Sequence, residues 1–525
     1  MELSTVTFGT FISTLVFSGL LWFFFSRKKT KCPLPPGPPG WPIVGNLLQI
    51  TLSGQKFHVY IQKLHQKYGP IYAIRLGSRP MIMIAGHDLA YEALIQKGSI
   101  FASRPPATGV LKLYTCNQMS INSAAYGSHW RTMRRNLVSE TLSANSIKSF
   151  RKGREWGMEI LIEGLKKEAA EKLGFVKLVD HLRHAAFCIL LYMCFGVRLE
   201  EKTVREVEEI LRELILSLGD LSLDDLFPAL RVFYRKRWER MQGMRPRQVG
   251  VIVELVNQRR AALAEGAAAP ALECRAYVDS LFSVTVEGGR SLSDAELVTP
   301  CSEFLNAGTD TTSTTLQWVI ANLVKHQEIQ AELYREIVRV VGKERVVEEE
   351  DVQRMPYLEA VVKETLRRHP PSKVVLTHAV TEACTVGGFD IPANALVNFS
   401  IWEMANDPKV WENPSEFRPD RFMSAEVDLT GSKEIKMMPF GVGRRICPGL
   451  GLAMLHLQLV VARLVQKFSW EEKPGEGVDF AEVEEFTIVM KNPLQALIKE
   501  RAGICKIKLN RRSWRSLLSL QASAA

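Results

Sequence analysis

The chain has 525 residues, 46% hydrophobic and 24% charged, which is enough apolar content for a large buried core and too much for a largely disordered chain. A formal net charge of +10 and a pI near 9.1 suit an anionic membrane surface or an acidic protein partner, while no nucleic-acid-binding motif accompanies the basic residues. The nine cysteines have no regular spacing and are odd in number, which fits a reducing compartment rather than a disulfide framework.

The first element in chain order is a charge-free run from Leu3 to Phe25, followed at once by Arg27, Lys28, Lys29 and Lys31. At helical rise it reaches roughly 34 Å, so it reads as a membrane anchor over 1–26 with the basic cluster left in the cytosol. A cleaved signal peptide is the weaker reading, because the run is long and is preceded by Glu2 with no Lys or Arg. Residues 27–44 form a basic, Pro-rich hinge in which Pro33, Pro35, Pro36, Pro38, Pro39 and Pro42 favour an extended segment that cannot continue the anchor helix. Ile71–Leu76 and Met81–Ala85, separated by Gly77-Ser78-Arg79-Pro80, predict a β-hairpin.

From about Asp88 to Leu366, helical periodicity dominates. In this stretch Trp130 and Arg134 stand at i and i+4, and Ala261–Ala271 reads as a surface connection between helices. Ser293-Asp294-Ala295-Glu296 is a capping box that opens a long helix through Phe304-Leu305-Asn306-Ala307-Gly308-Thr309-Asp310-Thr311-Thr312. Pro300 falls inside that helix, where an interior proline costs about 3 kcal/mol and kinks the axis. Glu364 and Arg367 lie three apart on one helical face. Residues 501–525 form a basic tail that reads as disordered, with contact to a membrane surface as the alternative.

Phe440-Gly441-Val442-Gly443-Arg444-Arg445-Ile446-Cys447-Pro448-Gly449 reads as a loop that aims one cysteine thiolate at a haem iron. Gly441, Gly443 and Gly449 permit conformations and close approaches that a Cβ resists, and Arg445 can hold an anionic propionate. A zinc site is disfavoured, since Cys447 has no second Cys or His at a paired-ligand spacing.

With this loop the sequence resembles the cytochrome P450 superfamily of plant microsomal type over roughly residues 30–500. Cys301-Ser302-Glu303-Phe304-Leu305-Asn306, Asp428-Leu429-Thr430-Gly431-Ser432 and Phe486-Thr487-Ile488-Val489-Met490-Lys491 are most similar to family 89, subfamily A, with family 77 as the near alternative. The resemblance implies a mainly α fold with a smaller β region (α+β) over 45–500, preceded by one transmembrane helix. It implies haem b with Cys447 as the proximal metal ligand, a thiol that the metal deprotonates and that pushes electron density toward O–O cleavage. Trp130 and Arg134 would then hold one propionate and Arg445 and His378 the other, with Phe440 in the haem loop. Gly308 would open the helix where dioxygen binds, and Asp310 with Thr311 would deliver protons. Glu364, Arg367 and Arg421 would close a structural network around the haem loop. Three positions depart from the pattern: Asp420 replaces Glu, Thr377 stands where relatives carry Pro, and Pro300 falls where the pattern has no proline.

By the same resemblance the chain is a monooxygenase of secondary metabolism in the endoplasmic reticulum membrane, single-pass, with its catalytic domain facing the cytosol. Electrons from NADPH would come through NADPH-cytochrome P450 reductase, with cytochrome b5 as a second donor. No dinucleotide fingerprint appears in the chain, in agreement with an external reductase. Residues from Thr108 to Asn122, with Phe304, Ala307, Val374, Val375, Ile488 and Val489, would line a pocket for a lipophilic small molecule. Two rival readings stay open: a non-catalytic haem-binding membrane protein, and an enzyme that rearranges hydroperoxides without a reductase.

Overall fold

Long runs of good helix formers and short β-branched segments divide the computed structural model into a helical body and a smaller β region. Described are residues 33–501, except 42–43, 78, 220–223, 225–227 and 266–273, together with Thr14 and Ser18. The expected anchor, the basic part of the hinge and the tail from residue 502 lie outside the described residues.

The longer helices are α1 (Phe57–Tyr68), α2 (Ser128–Asn136), α3 (Arg151–Glu171), α4 (Leu178–Phe195), α5 (Glu201–Gly219), α6 (Arg235–Glu265), α7 (Asp294–Lys325), α8 (Gln327–Val341), α9 (Pro356–Arg368) and α10 (Leu450–Lys467). The strands are β1 (Ile71–Leu76), β2 (Arg79–Ile84), β3 (Phe175–Lys177), β4 (His378–Ala379), β5 (Cys384–Val386), β6 (Phe389–Ile391), β7 (Leu396–Phe399), β8 (Phe468–Glu472), β9 (Glu482–Glu484), β10 (Ile488–Met490) and β11 (Gln495–Glu500). They form a four-stranded sheet in the order β1-β2-β7-β4, a three-stranded sheet β3-β11-β8, and the pairs β9–β10 and β5–β6.

The hairpin forms where expected, but β2 begins two residues early. The turn is tight, since Leu76 already pairs with Arg79 and Arg75 with Pro80. Proline is tolerated because β7 pairs with β2 only from Met81 onward, so no ladder partner on that side asks Pro80 for an N–H. The described part of the Pro-rich segment docks on the sheet rather than standing free. Ala73 donates to the Pro36 carbonyl and Asp390 to that of Pro33. A Cβ at Gly37 would fall 1.8 Å from the Ala73 carbonyl oxygen, so only glycine fits there.

The core is centred on α4, α7 and α10. α4 and α10 are apolar and long enough to cross a membrane by composition, yet 83% and 61% of them are buried inside the fold, which makes them core helices. Trp318, Val319 and Ile320 of α7 are fully buried against residues of α9 and α10. The capping box at Ser293 and Glu296 forms as expected. Pro300 does not end α7. Its ring removes the N–H that the Glu296 carbonyl would accept, and Arg245 of α6 supplies donors beside it, to the Ala295 carbonyl (2.9 Å) and the Thr299 hydroxyl (3.5 Å). The expected connection at 261–271 is helical up to Glu265, because its Ala and Glu residues are strong helix formers.

Candidate functional site

Cys447 sits in the loop that leads from Phe440 into α10. Its N–H donates to the Phe440 carbonyl (2.8 Å), and a 3₁₀ turn over Gly443–Arg445 carries the chain between them. Gly443 is required on two counts: its φ is +71°, and a Cβ there would lie 2.3 Å from the Leu94 carbonyl oxygen. Gly441 also has a positive φ, of 64°. Gly449 does not need its freedom, since its φ is −89° and a Cβ would only reach ordinary contact with the Cys447 Sγ at 3.8 Å. Burial pushes the Cys447 thiol up, opposed by the Gly449 backbone and the Arg134 charge.

Four cationic or aromatic side chains converge on this loop. From α2, Arg134 donates to the Ile446 carbonyl (2.7 Å), and Trp130 lies under the Arg445 guanidinium, 4.6 Å from ring centroid to charge. Arg445 itself donates to the carbonyls of Ala102 (2.6 Å), Ile121 (2.9 Å) and Ala124 (2.6 Å). Arg104 donates to the carbonyls of Asn122, Leu376 and Thr377. Burial lowers Arg445 to about 9, helped by Arg104 and Arg134, and lowers Arg104 to about 10. His378 is buried with Nδ1 on the Phe101 carbonyl (2.6 Å), and burial followed by the Arg104 charge lowers it to about 3. With Nδ1 donating to that carbonyl, Nε2 would have to carry a second proton to donate to a carboxylate.

The expected site residues Trp130, Arg134, Arg445, Phe440 and Cys447 are thus brought together, and His378 joins them through the 101–104 segment. Arg104 belongs with them, although the sequence pattern gives it no role. It stands in the run Phe101-Ala102-Ser103-Arg104-Pro105, but its bonds span more than 270 positions to Leu376 and Thr377, and no local spacing reveals them.

α7 presents an uncovered face. Ala307 is exposed and Glu303, Phe304, Gly308 and Thr311 are only half-buried, although most of the helix around them is buried. The Thr311 hydroxyl donates back to the Ala307 carbonyl (2.7 Å). α7 runs unbroken through Gly308, where a Cβ would lie 2.7 Å from the end of the Leu190 side chain of α4. Asp310 points off this face, toward α4, where Arg183 pairs with it at 3.2 Å. The Glu303 carboxyl, raised to about 7 by burial, accepts from the Ile121 and Asn122 N–H groups. Of the expected pocket lining, Val374 and Val375 are half-buried, while Ile488 and Val489 are buried in β10.

A site that holds haem needs a thiolate and cations for two propionates, and these residues fit it. Arg104, Arg134 and Arg445 form no ion pair among the described residues, and the Trp130 indole N–H is buried with no acceptor. Buried cations and donors of this kind are expensive unless an anion meets them. Glu364 and Arg367, both fully buried, pair bidentately at 2.7 and 2.8 Å, and Arg421 joins at 3.2 Å, forming the structural network beneath the loop.

Comparison with known proteins agrees with this geometry. A family model for cytochrome P450 matches residues 35–499. The chain is 42% identical over 521 residues to cytochrome P450 89A9 of Arabidopsis thaliana, covering 95% of this chain and all of that one. It is 33% identical to isoflavone 3'-hydroxylase of Medicago truncatula, covering 89% and 92% of the two chains. A zebra fish cytochrome P450 solved with progesterone superposes with a TM-score of 0.73 at 24% identity, over 85% of this chain and all of that one, and supports the fold. Fold, site and sequence together show that the chain belongs to the cytochrome P450 family, with plant family 89, and is a monooxygenase of that family.

Proposed function

We propose that this protein inserts one oxygen atom of O2 into a lipophilic small molecule, with electrons passed from NADPH by a separate P450 reductase and cytochrome b5 as a second donor. The observation that carries the reading is the gathering, on the Cys447 loop, of three guanidiniums without an ion pair and one indole N–H without an acceptor among the described residues. Cys447 would ligate the haem iron, Trp130, Arg134, Arg104 and Arg445 would hold the propionates, and the Phe440 carbonyl, which accepts from the Cys447 N–H, fixes the cysteine. Haem ligated in this way supplies the electron-rich iron at which O2 is cleaved.

The chain's part is positioning and proton control. Thr311 keeps its hydroxyl proton on the Ala307 carbonyl, one rotation away from the open face. Asp310, one residue back, waits in its pair with Arg183, and opening that pair frees a carboxylate to pass protons toward Thr311. His378 orients the 101–104 segment on which Arg104 and Arg445 depend.

Relatives named for isoflavone and flavonoid oxygenation support a lipophilic substrate. The run from Leu3 to Phe25 anchors the chain once in the endoplasmic reticulum membrane, and exposed Trp41, Leu52, Val232 and Phe233 offer apolar surface to a bilayer. The test is the carbon monoxide difference spectrum of dithionite-reduced membranes. A strongly red-shifted Soret band that disappears in Cys447→Ser, followed by NADPH-dependent turnover with added reductase, supports the proposal. Absence of the band in well-expressed protein sinks it.

A further inference from the structure

Glu303 is the acid on the uncovered face of α7, one turn before Ala307. A carboxylate there is out of keeping with a wall for lipophilic substrates. Its two oxygens are both engaged, Oε2 accepting from the Ile121 N–H (2.8 Å) and Oε1 from the Asn122 N–H (2.6 Å). The carbonyls of the same two residues accept from the arginine cluster, Ile121 from Arg445 (2.9 Å) and Asn122 from Arg104 (2.9 Å). The peptide group between Ile121 and Asn122 therefore has a guanidinium on its oxygen and a carboxylate on its hydrogen. Charge-assisted hydrogen bonds at both ends of one peptide dipole reinforce each other.

The loop needs such a tie. Cys116, Asn117 and Gln118 all have positive φ, of 49°, 59° and 68°, and three successive non-glycine residues in that region persist only where their surroundings hold them. The tie also decides what the arginines have left. Arg445 spends three of its five N–H donors on carbonyls of Ala102, Ile121 and Ala124, so the position of the 121–122 peptide sets where its other two point.

We propose that Glu303 is a positioning residue: through the 121–122 peptide it latches the 116–124 loop to α7 and fixes the direction in which Arg445 and Arg104 present their remaining N–H groups to an anionic ligand. The ligand part rests on the haem reading above; the latch does not.

The test compares full-length wild type with Glu303→Ala and Glu303→Gln by hydrogen–deuterium exchange, carbon monoxide difference spectrum and haem reduction midpoint. Exchange of the Ile121 and Asn122 amides should rise about tenfold in Glu303→Ala and less in Glu303→Gln, which keeps one acceptor oxygen, while α7 and α9 stay as protected as in wild type. The midpoint should move to higher potential in both variants, as an anion is removed and the arginines are released. Unchanged exchange at 121–122, or faster exchange with an unmoved midpoint, overturns the proposal. If Glu303→Ala fails to fold, the near-isosteric Glu303→Gln decides. If wild type shows no red-shifted Soret band, the haem reading has failed, and the exchange comparison, which needs no haem, still decides the latch.

Discussion

Around Glu364, each buried guanidinium has a carboxylate. Arg367 and Glu364 are fully buried and bidentate, Arg421 adds a second cation, and the spare Arg367 donors go to the carbonyls of Ala405, Pro414 and Glu416. Around Cys447, Arg104, Arg134 and Arg445 are half-buried, yet among the described residues they hydrogen-bond only to backbone carbonyls. The first cluster is closed: both cations share the Glu364 carboxylate and every Arg367 donor is spent, so it can only hold the fold together. The second is open, with cationic charge and N–H groups to spare, and that imbalance is what a dianionic ligand would correct. Buried charge thus separates scaffold from site here better than residue type does, since both clusters are built from arginine.

The largest effect comes from breaking the closed cluster. Arg367→Ala leaves Glu364 buried with only the Arg418 N–H (2.8 Å) and the longer contact to Arg421, and strips donors from three carbonyls. Removing one partner of a buried pair costs about 3–5 kcal/mol, a large share of the 5–15 kcal/mol that holds a domain. The variant should fail to accumulate as folded protein, or unfold at far lower urea, and lose the red-shifted carbon monoxide band with it. A variant of near-normal urea midpoint would show that the network is dispensable and the contrast between the clusters false.

Much of the closed cluster is legible in the amino-acid sequence, because Glu364 and Arg367 are three apart on one helix and spacing alone puts them together. The cysteine loop is legible for the same reason, as its glycines and Arg445 are neighbours in sequence. Glu303, Arg104 and the carbonyls that fill Arg445 are not, since main-chain acceptors carry no residue signature and their partners lie far along the chain. Gly308 suggests a break in the helix, yet α7 runs unbroken through it, and its missing Cβ leaves room for the end of Leu190. Pro300 suggests a break in α7, and a helix from elsewhere in the chain brings Arg245 to the carbonyl next to the one it strands. β3 is hidden inside the helical stretch because three residues paired with β11 hold no periodicity to detect.

The open cluster should also make the fold sensitive to acid. His378 ordinarily titrates near 6.5 but is held to about 3 here, by burial first and then by Arg104, and His456 in α10, beside Arg154, is likewise held to about 3. In each case the unfolded chain binds the proton first. The share of these two histidines is therefore flat above about pH 6.5 and falls as pH drops from there toward about 3, by at most roughly 1.4 kcal/mol per unit for each, while Glu303, raised to about 7, works in the opposite sense as pH falls through 7. Urea midpoints of wild type and His378→Asn at pH 7.5 and 5.5 isolate the His378 share, and the loss on acidification should be smaller in the variant. Haem, by bringing its propionates to the arginines, should shrink the His378 share and leave that of His456. An unchanged slope in His378→Asn would mean that the open cluster does not repel protons as its charges require.

The smallest effect separates the two clusters most sharply, because stability and ligand retention should part company. Trp130→Phe keeps an aromatic ring beneath Arg445 and deletes a buried N–H that has no acceptor. Losing an unsatisfied donor stabilises and losing ring volume destabilises, so the urea midpoint of the haem-free chain should shift by less than about 1 kcal/mol. Haem retention should suffer more, since the indole N–H would be one of the few neutral donors aimed at a propionate, and a lost hydrogen bond to a charged group is worth about 1.5–3 kcal/mol. Transfer of haem to excess apomyoglobin should therefore run about tenfold faster or more. Equal losses in both measurements would make Trp130 an ordinary core residue, and the cations around it would then need another reason to be buried without an anion.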